Sequence, residues 1–166
     1  MTQMESLFRR LQHSNKNAPD YRKFACFYLC LHIIKVQFAM NNFKFCEFHF
    51  NFIERAEQPE LSILPKAWHV GIAYYKGRFH MYNNDLPRAR KQLQRAYSLC
   101  HREYLENKQR ILRYLIPIEM ISGKFPSEKL MEQFDLSEYR DVVNACLKGD
   151  LVGLEEAITE YRDIYI

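Results

Sequence analysis

The chain has 166 residues, 48% hydrophobic and 27% charged, with a net charge of +4. That length fits one domain with a substantial core, and the composition excludes a disordered, collagen-like or disulfide-scaffold polypeptide. No stretch approaches the run of about eighteen apolar residues that a membrane helix needs: the richest, Phe24 to Met40, is broken by His32, Lys35 and Gln37.

Aromatic residues make up 14% of the chain, whereas Gly and Pro number only 5 and 6. Few turn-formers imply long elements with short connections, which favours helices over a sandwich or barrel. The five cysteines, Cys26, Cys30, Cys46, Cys100 and Cys146, are odd in number and scattered. They read as reduced thiols of a cytoplasmic or nuclear protein. Arg9 and Arg10 are followed by no apolar run, so the N-terminus does not read as a signal peptide. The charge is uneven. Residues 1–123 hold 19 Lys and Arg against 10 Asp and Glu, and residues 124–166 hold 5 against 10. A basic body with an acidic end can meet partners of either sign.

In chain order, a first helix is predicted over Glu5–His13 with Leu7, Phe8 and Leu11 on one face. Asp20 caps a second, which runs to about Met40 and buries Phe24, Phe27, Tyr28, Leu31, Ile34 and Phe38. Phe43, Phe45, Phe48, Phe50 and Phe52 approach the period of a strand, but no second strand-like segment exists to pair with them. Phe45, Phe48, Phe52 and Ile53 also share a helical face, so a helix is predicted there. These aromatics are either a partner-binding surface or, the better bet, core filling against the preceding helix.

Pro65 begins the next helix, which carries Trp68, Ile72, Tyr75 and Phe79 and stops at Asn83–Asn84. Asp85 caps a helix with Leu86, Ala89, Leu93, Ala96, Tyr97 and Cys100. Asn107 opens another that buries Ile111, Leu112, Leu115 and Ile118, is kinked at Pro117 and stops at Gly123. Shorter helices start at Ser127 and Ser137, the latter ending at Gly149. Asp150 caps the last, which runs off the end of the chain. Gly77, Asn84, Leu86, Ala89, Leu93 and Ala96 are spaced like half of a tetratricopeptide-type repeat, with Gly77 letting two helices approach closely. Lys148-Gly149-Asp150-Leu151 echoes its turn. The fold class is therefore all-α: stacked antiparallel helical hairpins.

Four constellations bear on function. Arg88, Lys91 and Arg95 fall at i, i+3 and i+7, opposite Ala89, Leu93 and Ala96. Arg102, Lys108, Arg110 and Arg113 extend the basic run. Such a stripe could neutralise phosphates, although a solvated helix face is the somewhat better reading and no aromatic interleaves there. Cys26, Cys30, His32, Cys46 and His49 invite a metal, but i, i+4 thiols inside an apolar helix are better read as core. His69 and His80 read as packed or surface histidines. No Gly-rich phosphate loop, nucleophile elbow or zinc-protease motif occurs, so no enzyme, cofactor or metal is expected.

From about Lys66 onward the chain resembles the PCI-domain family. The resemblance is carried by Tyr75-Lys76-Gly77-Arg78, then Ala89-x3-Leu93-x2-Ala96-Tyr97-x2-Cys100-His101. Asn107-Lys108-x-Arg110-Ile111-Leu112-x-Tyr114-Leu115-Ile116-Pro117, Gly123-x2-Pro126 and Lys148-Gly149-Asp150-Leu151 complete it. Residues 1–60 look like generic upstream helices and 61–166 like the helical-repeat part of one domain. The resemblance implies a right-handed superhelix leading into a winged helix, which would begin where this chain stops at Ile166, so a truncated product is expected. It also implies a non-catalytic scaffold, nuclear and cytoplasmic, that pairs with a related PCI subunit and a small acidic protein in transcription-coupled mRNA export. Such an assembly binds RNA or DNA. A signalosome-like or proteasome-lid-like assembly has the same architecture.

Overall fold

The computed structural model describes residues 2–13, 20–54 and 64–162; the side chains of residues 2, 11–13 and 20 fall outside that description, as do Ile164–Ile166. All regular structure among the described residues is helical: α1 Thr2–His13, α2 Asp20–Ala39, a 3-10 turn Phe43–Phe45, α3 Cys46–Ile53, α4 Lys66–Tyr82, α5 Leu86–Leu99, α6 Leu105–Ile121, α7 Glu128–Gln133, α8 Tyr139–Lys148 and α9 Leu151–Glu160. The all-α class is as the sequence predicts. The chain divides into two compact units, residues 1–99 and 100–166.

In the first unit α2 is the central element. Cys26, Phe27, Cys30, Ile33 and Ile34 have no exposed surface, and they meet Phe8 of α1, Phe50 and Phe52 of α3, and Trp68, Ile72 and Phe79 of α4. Three-and-four spacing keeps these residues on one stripe, so burying it removes several hundred square ångströms of apolar surface from water. Phe8 enters the layer edge-on, 4.8 Å from Phe52 and 6.3 Å from Phe48. Phe27 stacks on Trp68 at 5.7 Å with the planes 11° apart. Arg78 lies over the rings of Phe38 and Tyr74 at 4.8 and 5.5 Å, closing the same cluster by cation–π contact.

The α4–α5 hairpin forms as its spacing predicts. Gly77, Ala89, Leu93 and Ala96 are all buried. A Cβ built on Gly77 would lie 2.6 Å from Leu93 Cγ and 3.3 Å from its backbone nitrogen. Only hydrogen fits at that crossing. The turn is compact. Asn84, in the left-handed region at φ 58°, donates from its N–H to Met81 O, and the Asp85 N–H reaches His80 O at 2.9 Å. Asp85 then accepts the Arg88 N–H on Oδ1 at 3.2 Å. One aspartate thus completes the end of α4 and the start of α5.

The second unit repeats this device at α8–α9. Gly149 has φ 69°, Asp150 N–H reaches Ala145 O at 2.9 Å, and Asp150 Oδ1 accepts the Gly153 N–H at 3.0 Å. Gly123 stops α6 with the same left-handed geometry, and Ser127 caps α7 through Leu130 N–H, both as expected. Ile111, Leu112, Leu115 and Ile118 are buried, and α6 continues through Pro117 to Ile121.

Several sequence expectations need correction. Tyr28 is 49% exposed, lying on the flank of α2 against His32 and Trp68, because Cys30 and Ile33 complete the buried stripe. In α3 the buried face is Cys46, His49, Phe50, Phe52 and Ile53, while Phe45 and Phe48 are exposed. The face is rotated by about one residue, or 100°, from the predicted one. Leu7 is half-exposed although its neighbour Phe8 is buried. The helix expected from Asn107 begins at Leu105, placing Asn107 in its first turn, and that expected from Ser137 begins at Tyr139. The last helix is described over Leu151–Glu160 with Tyr161 as its C-cap, and whether it runs on to the end of the chain lies outside the described residues. The capping role of Asp20 lies outside the described residues, although α2 does begin there.

Candidate nucleic-acid interface

The basic stripe arises from the amphipathicity of α5. Because Ala89, Leu93 and Ala96 must face α4, residues 88, 91 and 95 are turned outward, and Arg88, Lys91 and Arg95 are all exposed. Arg88 Nε lies 3.3 Å from Asp85 Oδ2; with its side chain 74% exposed this pair contributes little stability. Lys91 and Arg95 carry no ion pair among the described residues.

Beside the stripe, α3, α4 and α5 enclose an open cleft of about 400 Å³. Its floor is Phe50 and Phe79, whose rings are 5.4 Å apart. Glu47, Asn51 and Glu54 line one wall, Lys76 and His80 another, and Arg88, Lys91 and Gln92 the third. Lys76 and Glu54 form an ion pair across it. Burial holds the His80 imidazole below its ordinary pKa, against the pull of Asp85. Sequence reasoning did not find this cleft, since its residues are spread over 46 positions with no local signature.

The remaining basic residues lie in the second unit. Arg102 and Arg110 are exposed and Lys108 is half-buried. Arg113 has a structural occupation: its Nε donates to Glu138 Oε1 at 3.3 Å, and its carbonyl accepts the Tyr139 hydroxyl at 2.8 Å. Glu138 is only 5% exposed, so its charge relies on that guanidinium. Gln109 Nε2 donates to Asp135 O at 2.9 Å, tying α6 to the turn after α7.

Among the described residues, no three or more His, Cys, Asp or Glu side chains converge as a ligand set. Cys26, Cys30 and Cys46 are fully buried. Burial pushes the Cys26 and Cys46 thiols up to about 11, and that of Cys30 well above its usual value. Cys30 donates its S–H to His49 O at 3.4 Å. These are protonated core thiols, apolar in behaviour.

His49 is 5% exposed and its Nδ1 lies 2.9 Å from Phe45 O. Burial lowers its pKa, as it does for His32 and His80. The unfolded chain therefore binds protons that the fold rejects, so stability is full above the unfolded value of about 6.5 and is lost as pH falls below it. The thermal midpoint is expected to drop between pH 7 and pH 5, with each such histidine contributing no more than about 1.4 kcal/mol per pH unit. Melting curves of His49→Gln should fall less steeply over that range. An unchanged slope would show that His49 titrates normally.

No family model matches the chain. PCI domain-containing protein 2 of Xenopus laevis is 30% identical over 147 residues, covering 89% of this chain and 36% of the relative. The protein of the same name in Danio rerio is 28% identical over 165 residues, covering 99% and 41%. Protein CSN12 homolog of Neurospora crassa is 28% identical over 159 residues, covering 92% and 35%. The chain thus spans about two-fifths or less of the length of these relatives. The matched lengths reach into residues 1–60, so the upstream helices, expected to be generic, share the relationship. With similarity to PCI domain-containing proteins extending over nearly all its residues, the chain belongs to the PCI-domain family.

Proposed function

We propose that the chain is a non-catalytic helical scaffold module of a multi-subunit PCI assembly acting in transcription-coupled mRNA export, in the nucleus and cytoplasm. The observation that carries this reading is its similarity over 89% and 99% of its length to two proteins named PCI domain-containing protein 2. Its partners on this reading are a related PCI subunit and a small acidic protein. The hairpin of α4 and α5, fixed at the Gly77–Leu93 crossing, suits such a role by presenting rigid outer faces. Affinity purification of the tagged chain from cells of its own organism is expected to recover a PCI subunit together with an acidic polypeptide. Recovery of signalosome or proteasome-lid subunits instead would move it to those assemblies. Recovery of no PCI protein would end the scaffold reading.

A second reading is direct binding of RNA or DNA. It is favoured by the exposure of Arg88, Lys91 and Arg95 along one face of α5, with Arg102, Lys108 and Arg110 as further candidates in the second unit. Charge reversal of Arg88, Lys91 and Arg95 together is expected to weaken RNA binding by about a hundredfold at low salt and to flatten its dependence on salt concentration. Binding that persists at wild-type strength would leave the stripe as a solvated face.

A further inference from the structure

We propose that the cleft between α3, α4 and α5 receives one unpaired nucleobase bearing an exocyclic amine, from a single strand whose phosphates run along Arg88, Lys91 and Arg95. This rests on the reading of the α5 stripe as a nucleic-acid face, and adds to it the element that would read a base.

Three features of the cleft carry the inference. Two of its cations are shared with the stripe: Arg88 and Lys91 belong both to the cleft lining and to the exposed face of α5, and Arg95 follows one turn further, about 6 Å along the axis. A phosphate held by Lys91 would have its own base within reach of the interior. The floor is aromatic: Phe79 is half-buried in the cleft and meets the buried Phe50 at 5.4 Å with the two planes tilted by 50°, which leaves the Phe79 ring for a planar heterocycle to stack on. About 400 Å³ is enough for one base.

The third feature is the polar equipment around that floor. Asn51 and Gln92 have no polar partner among the described residues, and each amide can donate to and accept from a base edge. Glu47, also without a partner there, is acceptor-only and suits the amine of adenine, cytosine or guanine rather than uracil. Glu54 is neutralised by Lys76. Charge also argues against an acidic polypeptide as the occupant. Its carboxylates would enter beside the unpaired Glu47, whereas a nucleic acid keeps its negative charge outside on the backbone and inserts a neutral group.

The test uses the full chain and fluorescence anisotropy with a labelled twelve-nucleotide single-stranded RNA of uridines carrying, at its centre, adenosine, uridine or an abasic site. Wild type is expected to bind the adenosine strand about tenfold more tightly than the abasic one, with uridine between them. Glu47→Gln should narrow the preference for adenosine over uridine. The Asn51→Ala/Gln92→Ala variant should narrow the differences among the three strands while its unfolding midpoint stays at the wild-type value. A 2-aminopurine at the central position should lose fluorescence on binding to wild type, and less on binding to Phe79→Leu. If the stripe reversal weakens binding but the three strands bind wild type equally, the base pocket is overturned and the stripe survives. If the stripe reversal changes nothing, or the chain binds no strand, both fall. Competition by poly-glutamate as effective as that of the unlabelled adenosine strand would also overturn the proposal, and would assign the cleft to acidic polypeptides.

Discussion

Replacing Gly77 with alanine is expected to lower the unfolding free energy by about 1–2 kcal/mol, and replacing it with valine by about 3 kcal/mol or more. The added Cβ falls 2.6 Å from Leu93 Cγ and 2.9 Å from Cδ2, and Leu93 is fully buried with its backbone nitrogen only 3.3 Å away. The clash therefore cannot be relieved by swinging a side-chain tip aside; α5 must move. Alanine gains up to about 1 kcal/mol of helix propensity over glycine, so the observed loss understates the steric cost. Leu93→Ala alone should cost about 2–5 kcal/mol through the cavity it leaves. Together the two changes should cost less than their sum by at least about 1 kcal/mol, because alanine at 77 fills part of the space that leucine vacated. Urea denaturation of the four proteins measures this. Strict additivity would mean that the crossing is looser than the packing indicates.

The second large effect is expected at Phe8. Its side chain is 1% exposed and packs against Phe48, His49 and Phe52. Phe8→Ala should cost about 3–5 kcal/mol. The loss should be local first, since α1 has no other described side chain so deeply buried, and Gln37 Nε2 to Glu5 Oε1 at 3.5 Å is a weak tether. Arg9 and Arg10 are exposed on α1. Trypsin cleavage there should therefore accelerate in Phe8→Ala well before far-ultraviolet circular dichroism changes. Cleavage and global unfolding rising in step would instead place α1 inside the main cooperative unit.

How much of this was legible in the sequence depended on local contrast in polarity. In α5 the small and apolar residues Ala89, Leu93 and Ala96 alternate with Arg88, Lys91 and Arg95, so one helical phase alone separates them, and both faces appear where the spacing puts them. The Gly77 contact and the echo of the α4–α5 turn at Gly149–Asp150 were legible for a related reason: each rests on a residue type with a single structural use. In α3, by contrast, nearly every position is apolar or aromatic. Period alone could not choose between faces, and the neighbouring Phe8 decided that Phe52 turns in and Phe48 partly out. Helix starts assigned to Asn107 and Ser137 failed because α6 and α8 begin without a side-chain cap. The burial of Glu138 beneath Arg113 left no trace at all, since 25 residues separate the pair and neither sits in a motif.

The junctions at Asn84–Asp85 and Gly149–Asp150 carry a mechanical consequence. Where a single aspartate finishes one rod and starts the next, no slack remains between them, so neither elbow can act as a hinge. Adding even one residue there would forfeit both sets of bonds and release the following rod from its fixed direction. Evolutionary drift in length should therefore collect elsewhere in the chain, leaving these two splices fixed in span whatever side chains surround them.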